Sequence, residues 1–247
     1  MKIVAFIASR LGSTRVPFKN VRLLNGKPMF TYLTESALNV KGFDEVYLNS
    51  DSELIIEIAN EYISSGLKTY LRSKELGTSS ASLDSYVYDF VKNVESDIVV
   101  FLNPCSPFLE SKTIDDALEI FKNEGLKSMV ASAEAQTHGF VKNEPVNFSF
   151  DAPQPRSQDL ESVHLMTSGF FIWKTEDFIQ NYEKNGFANF SSPFKSYPLN
   201  KLESIDIDDE LDWLVAEAVS KSLKVDTPKE YHPIVSDMIK KGNIKVN

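Results

Sequence analysis

A chain of 247 residues, 42% apolar and 25% charged, has an ordinary globular composition and enough length to bury a core in one large domain or two small ones. A formal charge of -9 and an isoelectric point near 5.0 exclude sequence-independent nucleic-acid binding, which needs a broad basic face, but leave room for one phosphorylated small ligand. The single cysteine, Cys105, excludes an intramolecular disulfide and a cysteine-rich zinc site, and fits a reducing compartment.

The opening apolar run predicts a strand over residues 2–8, too short for a secretion signal before Arg10 interrupts it. No run approaches the roughly eighteen apolar residues of a membrane span, so a cytoplasmic protein with no membrane contact is expected. Further strands are predicted at 45–49, 68–71, 97–102 and 128–133, and helices at 28–40, 52–63, 82–94 and 113–123. In the last helix Ile114, Ala117, Leu118 and Phe121 recur at i, i+3, i+4 and i+7. Such alternation predicts parallel strands with right-handed crossovers, and hence a Rossmann-like α/β fold with a doubly wound, mostly parallel sheet.

The rhythm breaks at 134–165, where Pro145, Pro153 and Pro155 interrupt short alternating pieces. This stretch reads as an arm over about 135–167 that meets a second copy in a homodimer, or as a long ordered loop over the site. The pattern resumes with a strand at 169–173, a helix at 175–182, and an extended segment at 204–208 that feeds a helix through Trp213 and Ala216. An appended helix at about 226–247 completes a single domain covering 1–247.

Charge is distributed unevenly along this frame. No acidic residue precedes Glu35, while Lys2, Arg10, Arg15, Lys19, Arg22 and Lys27 all do. Five of these follow the first strand, three of them in the run Arg10-Leu-Gly-Ser-Thr-Arg-Val-Pro-Phe-Lys-Asn20. In open α/β sheets ligands gather beyond the carboxyl ends of strands. Gly12 permits close backbone approach, Ser13 and Thr14 add donors, and Arg10, Arg15 and Lys19 can converge on phosphates. A unit-charge pair at 4 Å is worth about 4 kcal/mol at an effective dielectric near 20, so convergence matters, whereas cations splayed into solvent contribute little. Neither a P-loop motif nor G-x-G-x-x-G occurs, which excludes the commonest NTPase and dinucleotide fingerprints.

The acidic counterpart lies between Lys201 and Lys221, where seven acids and no base occur. Along the extended 204–208 segment side chains alternate, so Asp206 and Asp208 share a face opposite Ile205 and Ile207. Two carboxylates beside a polyphosphate suit Mg²⁺, which takes one or two carboxylates with phosphate and water oxygens. The residues alone leave open that Asp208 and Asp209 instead cap the following helix.

Arg10-x-Gly-Ser-Thr-Arg-x-Pro-x-Lys-Asn20, followed by Asn25-Gly-Lys-Pro-Met29, resembles the nucleotide signature of sugar cytidylyltransferases, in particular CMP-sialic acid synthetases and related CMP-nonulosonate enzymes. Leu71-Arg72 with Glu75-Leu76, Asn103-Pro-x-Ser-Pro107 and Ser204-Ile-Asp-Ile-Asp208 follow in that family's order, so the likeness runs from residue 2 to about 217. The resemblance implies that Arg10, Ser13, Arg15 and Lys19 hold the triphosphate, and that Asn20, Arg72 and Ser82 face ribose and cytosine. Ser82 also suits the N-cap of its helix, and without the resemblance Arg72 reads as a surface arginine. The resemblance further assigns Asp206 and Asp208 to the metal.

On the sugar side the match frays. Asn103 stands where members of the family carry glutamine, and Cys105, read as a small packed residue, replaces threonine. Met166-Thr-Ser168-Gly169 stands in place of an Arg-x-Asn-Gly-like segment. A sugar carboxylate then needs another partner, for which Arg156 is the candidate, with Gln158, Asn103 and Ser168 as further sugar contacts. Arg156 reads equally as an arm-surface or dimer residue. His138, His164 and His232 show no metal-ligand spacing.

The expected function is transfer of a cytidylyl group from CTP to a nonulosonic acid or similar acidic sugar, with Mg²⁺ as cofactor and release of pyrophosphate. The sugar's anomeric hydroxyl is expected to attack the α-phosphorus in line, with the cations and a metal on Asp206 and Asp208 stabilising the charge that develops. Three alternatives remain: activation of 3-deoxy-manno-octulosonate, a sugar-phosphate nucleotidyltransferase using another NTP, and a catalytically silent nucleotide-binding module.

Overall fold

The computed structural model describes residues 1–223 and 240–241; the predicted helix at 226–247 lies almost entirely outside the described residues. Strand β1 (Ile3–Ser9) forms because an uninterrupted apolar run can be buried on both faces only inside a sheet. Two two-residue strands, β2 (Leu23–Leu24) and β3 (Lys27–Pro28), form a small hairpin before helix α1 (Met29–Leu38). Strand β4 (Glu45–Ser50), helix α2 (Glu53–Ala59), strand β5 (Leu67–Leu71), helix α3 (Leu83–Asn93), strand β6 (Ile98–Leu102) and helix α4 (Ser111–Asn123) continue the alternation. Strand β7 (Ser128–Ala135) leads into the arm, which carries the hairpin β8 (Phe140–Val141) and β9 (Glu144–Pro145). The chain returns as β10 (Val163–Lys174), then α5 (Thr175–Asn185), β11 (Phe194–Leu199) and α6 (Glu210–Ser222).

Seven strands make one sheet in the order β11-β7-β10-β6-β1-β4-β5. β1 is paired in parallel with β4 on one side and β6 on the other. Alternate residues of β1 feed opposite cores. Ile3, Ala5 and Ile7 pack with Phe30 and Leu33 of α1 and Ile114 and Phe121 of α4. Val4 and Phe6 pack with Val87 and Phe90 of α3 and Phe178 of α5. Among the described residues no helix is long and apolar enough to cross a membrane.

The sheet is parallel except for β10, which runs antiparallel to both β6 and β7. The reason is connectivity: the segment before β10 is the arm, which supplies no crossover helix, so the returning strand must lie antiparallel to the one it left. β7 and β10 extend beyond the predicted 128–133 and 169–173, pairing Val163 with Ala135 at the base of the arm. β10 is irregular between Met166 and Phe171, with Ser168 at φ 57°. Strand β11 was not legible because Pro198 and scattered polar residues hide its period. The predicted helix at 52–63 is α2 followed by a 3₁₀ turn, Asn60–Ser65.

Phe90 sits in an aromatic nest, 4.4 Å from Phe6, 5.4 Å from Tyr47 and 5.3 Å from Tyr70 between ring centroids. Phe90→Ala is expected to lower unfolding free energy by about 3–5 kcal/mol through lost burial and a residual cavity, read as a shift of the urea midpoint.

Candidate active site

The strand order reverses at β1: the chain moves outward through β4 and β5, then recrosses to place β6 on the other flank. A crevice at the carboxyl ends of strands at such a switch point is where open α/β sheets hold ligands. A cavity of about 300 Å³ opens there. From the loop after β1 it is lined by Arg10, Gly12, Ser13, Arg15, Lys19 and Asn20. Arg72 after β5, Asn103 after β6, and Asp208 from the acidic segment complete the predicted residues that line it.

The loop is shaped by a turn at Phe18, which adopts φ 54° and accepts hydrogen bonds from the N–H groups of Val21 and Arg22. The turn leaves the Phe18 ring exposed and buries Lys19 beside it. Lys19 Nζ donates to the carbonyl of Ile207 (2.5 Å) and lies 3.8 Å from Asp208 Oδ1. Arg15 Nη2 donates to the same oxygen at 2.7 Å. Asn20 Nδ2 donates to the carbonyl of Arg10 at 2.8 Å, while its Oδ1 is buried without a partner. Arg10 makes no ion pair among the described residues. The cavity thus holds more cationic reach than its own carboxylates occupy.

Apolar contacts hold the acidic segment against this loop. Val16 and Leu24 share a buried cluster with Ile207, Trp213 and Ala216, and the Ile207 N–H donates to Cys105 at 2.9 Å. Arg22 stacks on the Trp213 ring at 4.3 Å and pairs with Glu210 at 2.8 Å. That cation of the basic opening is structural. Asp209 and Asp212 form a reciprocal capping box at the start of α6. Asp206 and Asp208 are left out of that cap as side chains. Burial and the neighbouring Asp208 push the Asp206 carboxyl up to about 6, with Lys19 opposing them, and its Oδ1 has no partner. Among the described residues no cluster of three or more metal-ligating side chains occurs. A carboxylate pair with one orphaned buried oxygen nevertheless fits Mg²⁺, which draws most of its ligands from phosphate and water.

Other predicted residues stand elsewhere. Ser82 is the N-cap of α3, its hydroxyl accepting from Ser85 N–H at 3.2 Å, between the cavity-lining Ala81 and Leu83. Asn103 lines the cavity, but its Oδ1 already accepts from Cys105 N–H. Ser168 lies in the β10 irregularity, where the Gly169 carbonyl accepts from Asn103 N–H. Arg156 and Gln158 do not line the cavity. Arg156 is an exposed arm residue paired with Asp159 at 2.8 Å, and Gln158 offers a backbone carbonyl to Gln136. Both are arm surface in one chain, because a three-residue-spaced acid satisfies the arginine locally. His138 and His164 bond to Pro155 and to Ser132 and Ser196, away from any metal cluster. Burial pushes the Cys105 thiol up, with Lys19 opposing, so it is held protonated.

Tyr86, Thr78 and Ser79 also line the cavity and escaped the reading of the sequence. Tyr86 sits on α3, where helical periodicity reads an aromatic residue as core. The run Gly77-Thr-Ser-Ser-Ala-Ser82, dense in donors before a helix, was the available signal.

Residues 4–198 match the cytidylyltransferase family model. A CMP-N,N'-diacetyllegionaminic acid synthase of Legionella pneumophila is 31% identical over 88% of this chain and 95% of its own length. An N-acylneuraminate cytidylyltransferase A of Danio rerio is 29% identical over 87% of this chain, which spans about half, 50%, of that relative. Among solved structures, a CMP:2-keto-3-deoxy-manno-octonic acid synthetase complexed with CTP superimposes with a TM-score of 0.65 at 17% identity, covering 90% of this chain and 100% of that one; at that identity the likeness is one of fold. With a cation-lined cavity at the switch point of its sheet, the chain belongs to the cytidylyltransferase family and is a nucleotidyltransferase.

Proposed function

We propose that the protein activates a nonulosonic, sialic-acid-like sugar by joining it to the CMP portion of CTP, with release of pyrophosphate. The observation that carries this reading is the pairing of an anion-seeking cavity with an acidic segment at its rim, in a chain similar to a CMP-N,N'-diacetyllegionaminic acid synthase and an N-acylneuraminate cytidylyltransferase. Arg10, Arg15 and Lys19 receive the β- and γ-phosphates, with Ser13 and the loop backbone beside them. Arg72, Asn20 and the Thr78–Ser82 region take the nucleoside. The sugar enters from the β6–β10 side, past Asn103 and Ser168. There the hydroxyls of Ser106 and Thr167 are buried without a protein partner.

In the free protein Arg15 and Asp208 satisfy each other, with side chains 64% and 49% exposed. So exposed a pair contributes little, and exchanging it for phosphate and cation costs little. Asp206 and Asp208 would hold Mg²⁺. Bound there, the ion would supply charge neutralisation at the phosphates and lower the pKa of the attacking hydroxyl. The protein's own part is placement: cations fixed by the buried Lys19 and the loop turn face the leaving pyrophosphate before the reaction starts. The arm presents Phe140, Phe148 and Phe150 in edge contact, with Phe140 and Phe150 57% and 64% exposed. A surface of that kind is covered in a homodimer.

Four outcomes check this reading. Pyrophosphate release assayed across four NTPs and a panel of acidic sugars (N-acylneuraminate, diacetyllegionaminate, 3-deoxy-manno-octulosonate) should require magnesium, CTP and a nonulosonate. Asp208→Asn should lower kcat/KM about a hundredfold or more, and preference for another NTP would sink the cytidylyl reading. Asp206→Asn should abolish activity yet stabilise the metal-free protein at pH 7.5 by on the order of 1–3 kcal/mol. The sign follows from the raised carboxyl: the native state keeps a proton that the unfolded chain loses, so stability falls as pH rises from about 4 through about 6. The gain should therefore vanish near pH 3.5 in thermal melts. Phe140→Ser with Phe150→Ser should shift the sedimentation of the protein from dimer to monomer.

A further inference from the structure

Arg72 is more deeply buried than Lys19, and what holds it lies behind the cavity instead of in it. Its Nη1 donates to the carbonyl and Oδ1 of Asn49 at 3.2 and 3.1 Å, and Nη2 to Asp51 Oδ1 at 3.4 Å. The guanidinium lies 5.1 Å from the Tyr86 ring centroid. Nε–H is buried without a partner. Asp51 is the one carboxylate in ion-pair contact with Arg72 among the described residues, and it does not line the nucleotide cavity. Burial pulls the pKa of Arg72 down and Asp51 works against that, as does Tyr86, while Arg10 adds to the pull.

Asp51 in turn depends on a missing side chain. A Cβ at Gly77 would lie 2.2 Å from Cγ and Oδ2 of Asp51 and 2.6 Å from its Cβ. Because Asp51 Cβ is fixed by the backbone, no rotamer of Asp51 removes that overlap. Either the 3₁₀ turn Lys74–Gly77 or the end of β4 has to move.

We infer that Asp51 and Gly77 are positioning residues of the nucleotide site. Asp51 sets where the Arg72 guanidinium lies in the cavity wall, and Gly77 leaves the room that the Asp51 carboxylate needs. This rests on the cavity taking a nucleotide. Asn49 supplies neutral acceptors for one end of the guanidinium, but only Asp51 supplies compensating charge beside it. Without Asp51, Arg72 keeps the like charge of Arg10 in its surroundings and no carboxylate in ion-pair contact, Asp89 acting on it only from farther off, and a buried cation left unpaired is costly.

Calorimetric CTP affinity, with steady-state KM and kcat, separates this role from general damage to the fold. Gly77→Ala and Asp51→Gly are each expected to weaken CTP about tenfold with kcat changed by no more than about twofold. The double variant should bind no more weakly than Asp51→Gly alone, because every atom that the added methyl would meet has gone. Asp51→Asn, which keeps shape and an acceptor, should lose less than Asp51→Gly. Additive losses in the double variant, or wild-type affinity in Asp51→Gly, overturn the inference. If Gly77→Ala does not fold, the cycle of Asp51→Gly with Arg72→Ala decides instead: Asp51→Gly should cost nothing further once the guanidinium is absent, and an undiminished cost overturns the inference. Wild-type preference for another of the four NTPs defeats the cytidylyl reading while leaving the coupling to be scored on that nucleotide. Binding of none defeats both.

Discussion

The site depends on one apolar contact: Val16 and Leu24 of the first loop packed against Ile207 and Trp213. Residues nearly two hundred positions apart in sequence are thereby brought together, and the Ile207 carbonyl reaches Lys19. Opposite charges alone would not hold such a docking, since exposed ion pairs are screened and entropically costly. Burial of apolar surface has neither weakness. It fixes the backbone of the acidic segment, leaving Asp206 and Asp208 free of structural duty while Asp209 and Asp212 cap the helix. A division of labour between adjacent aspartates follows directly from that arrangement.

The unsatisfied groups around the cavity have a common meaning. Arg10 without an anion, Arg72 Nε and Asn20 Oδ1 without partners, and Asp206 raised by burial beside a second carboxylate each oppose stability in the free protein. Native proteins retain such costs where a ligand removes them. The proposed reaction would bring a ligand suited to two of these groups: a polyphosphate for the cations and a divalent ion for the carboxylates. Among the described residues the strained positions fall in the same neighbourhoods, at Phe18 in the loop after β1 and Ser168 beside the β6 loop, and in turns such as Asn25 and the arm hairpin.

Much of the first half of the fold was legible because each strand there is a short apolar run and each helix has a clear period. The second half was less so. β10 reads only from residue 169 because its first half is exposed and pairs with β7 outside the core. β11 is an edge strand whose side chains are half-buried, so no alternation marks it. At the site, Arg10, Arg15, Lys19 and Asp208 could be found from charge and position, and Arg72 only from its resemblance to a family motif. Arg156 could not be placed from sequence: within one chain it pairs with Asp159 on the arm and does not line the cavity.

The sequence by itself determined the alternating elements, the cationic loop after the first strand and the acidic segment far from it, because periodicity and charge are local properties of a chain. The tertiary structure alone decided which of those charges meet, that β10 returns antiparallel, and that Arg72 is held from behind by Asp51 over Gly77. Those outcomes depend on which surfaces are buried against each other, and burial is set by the whole fold.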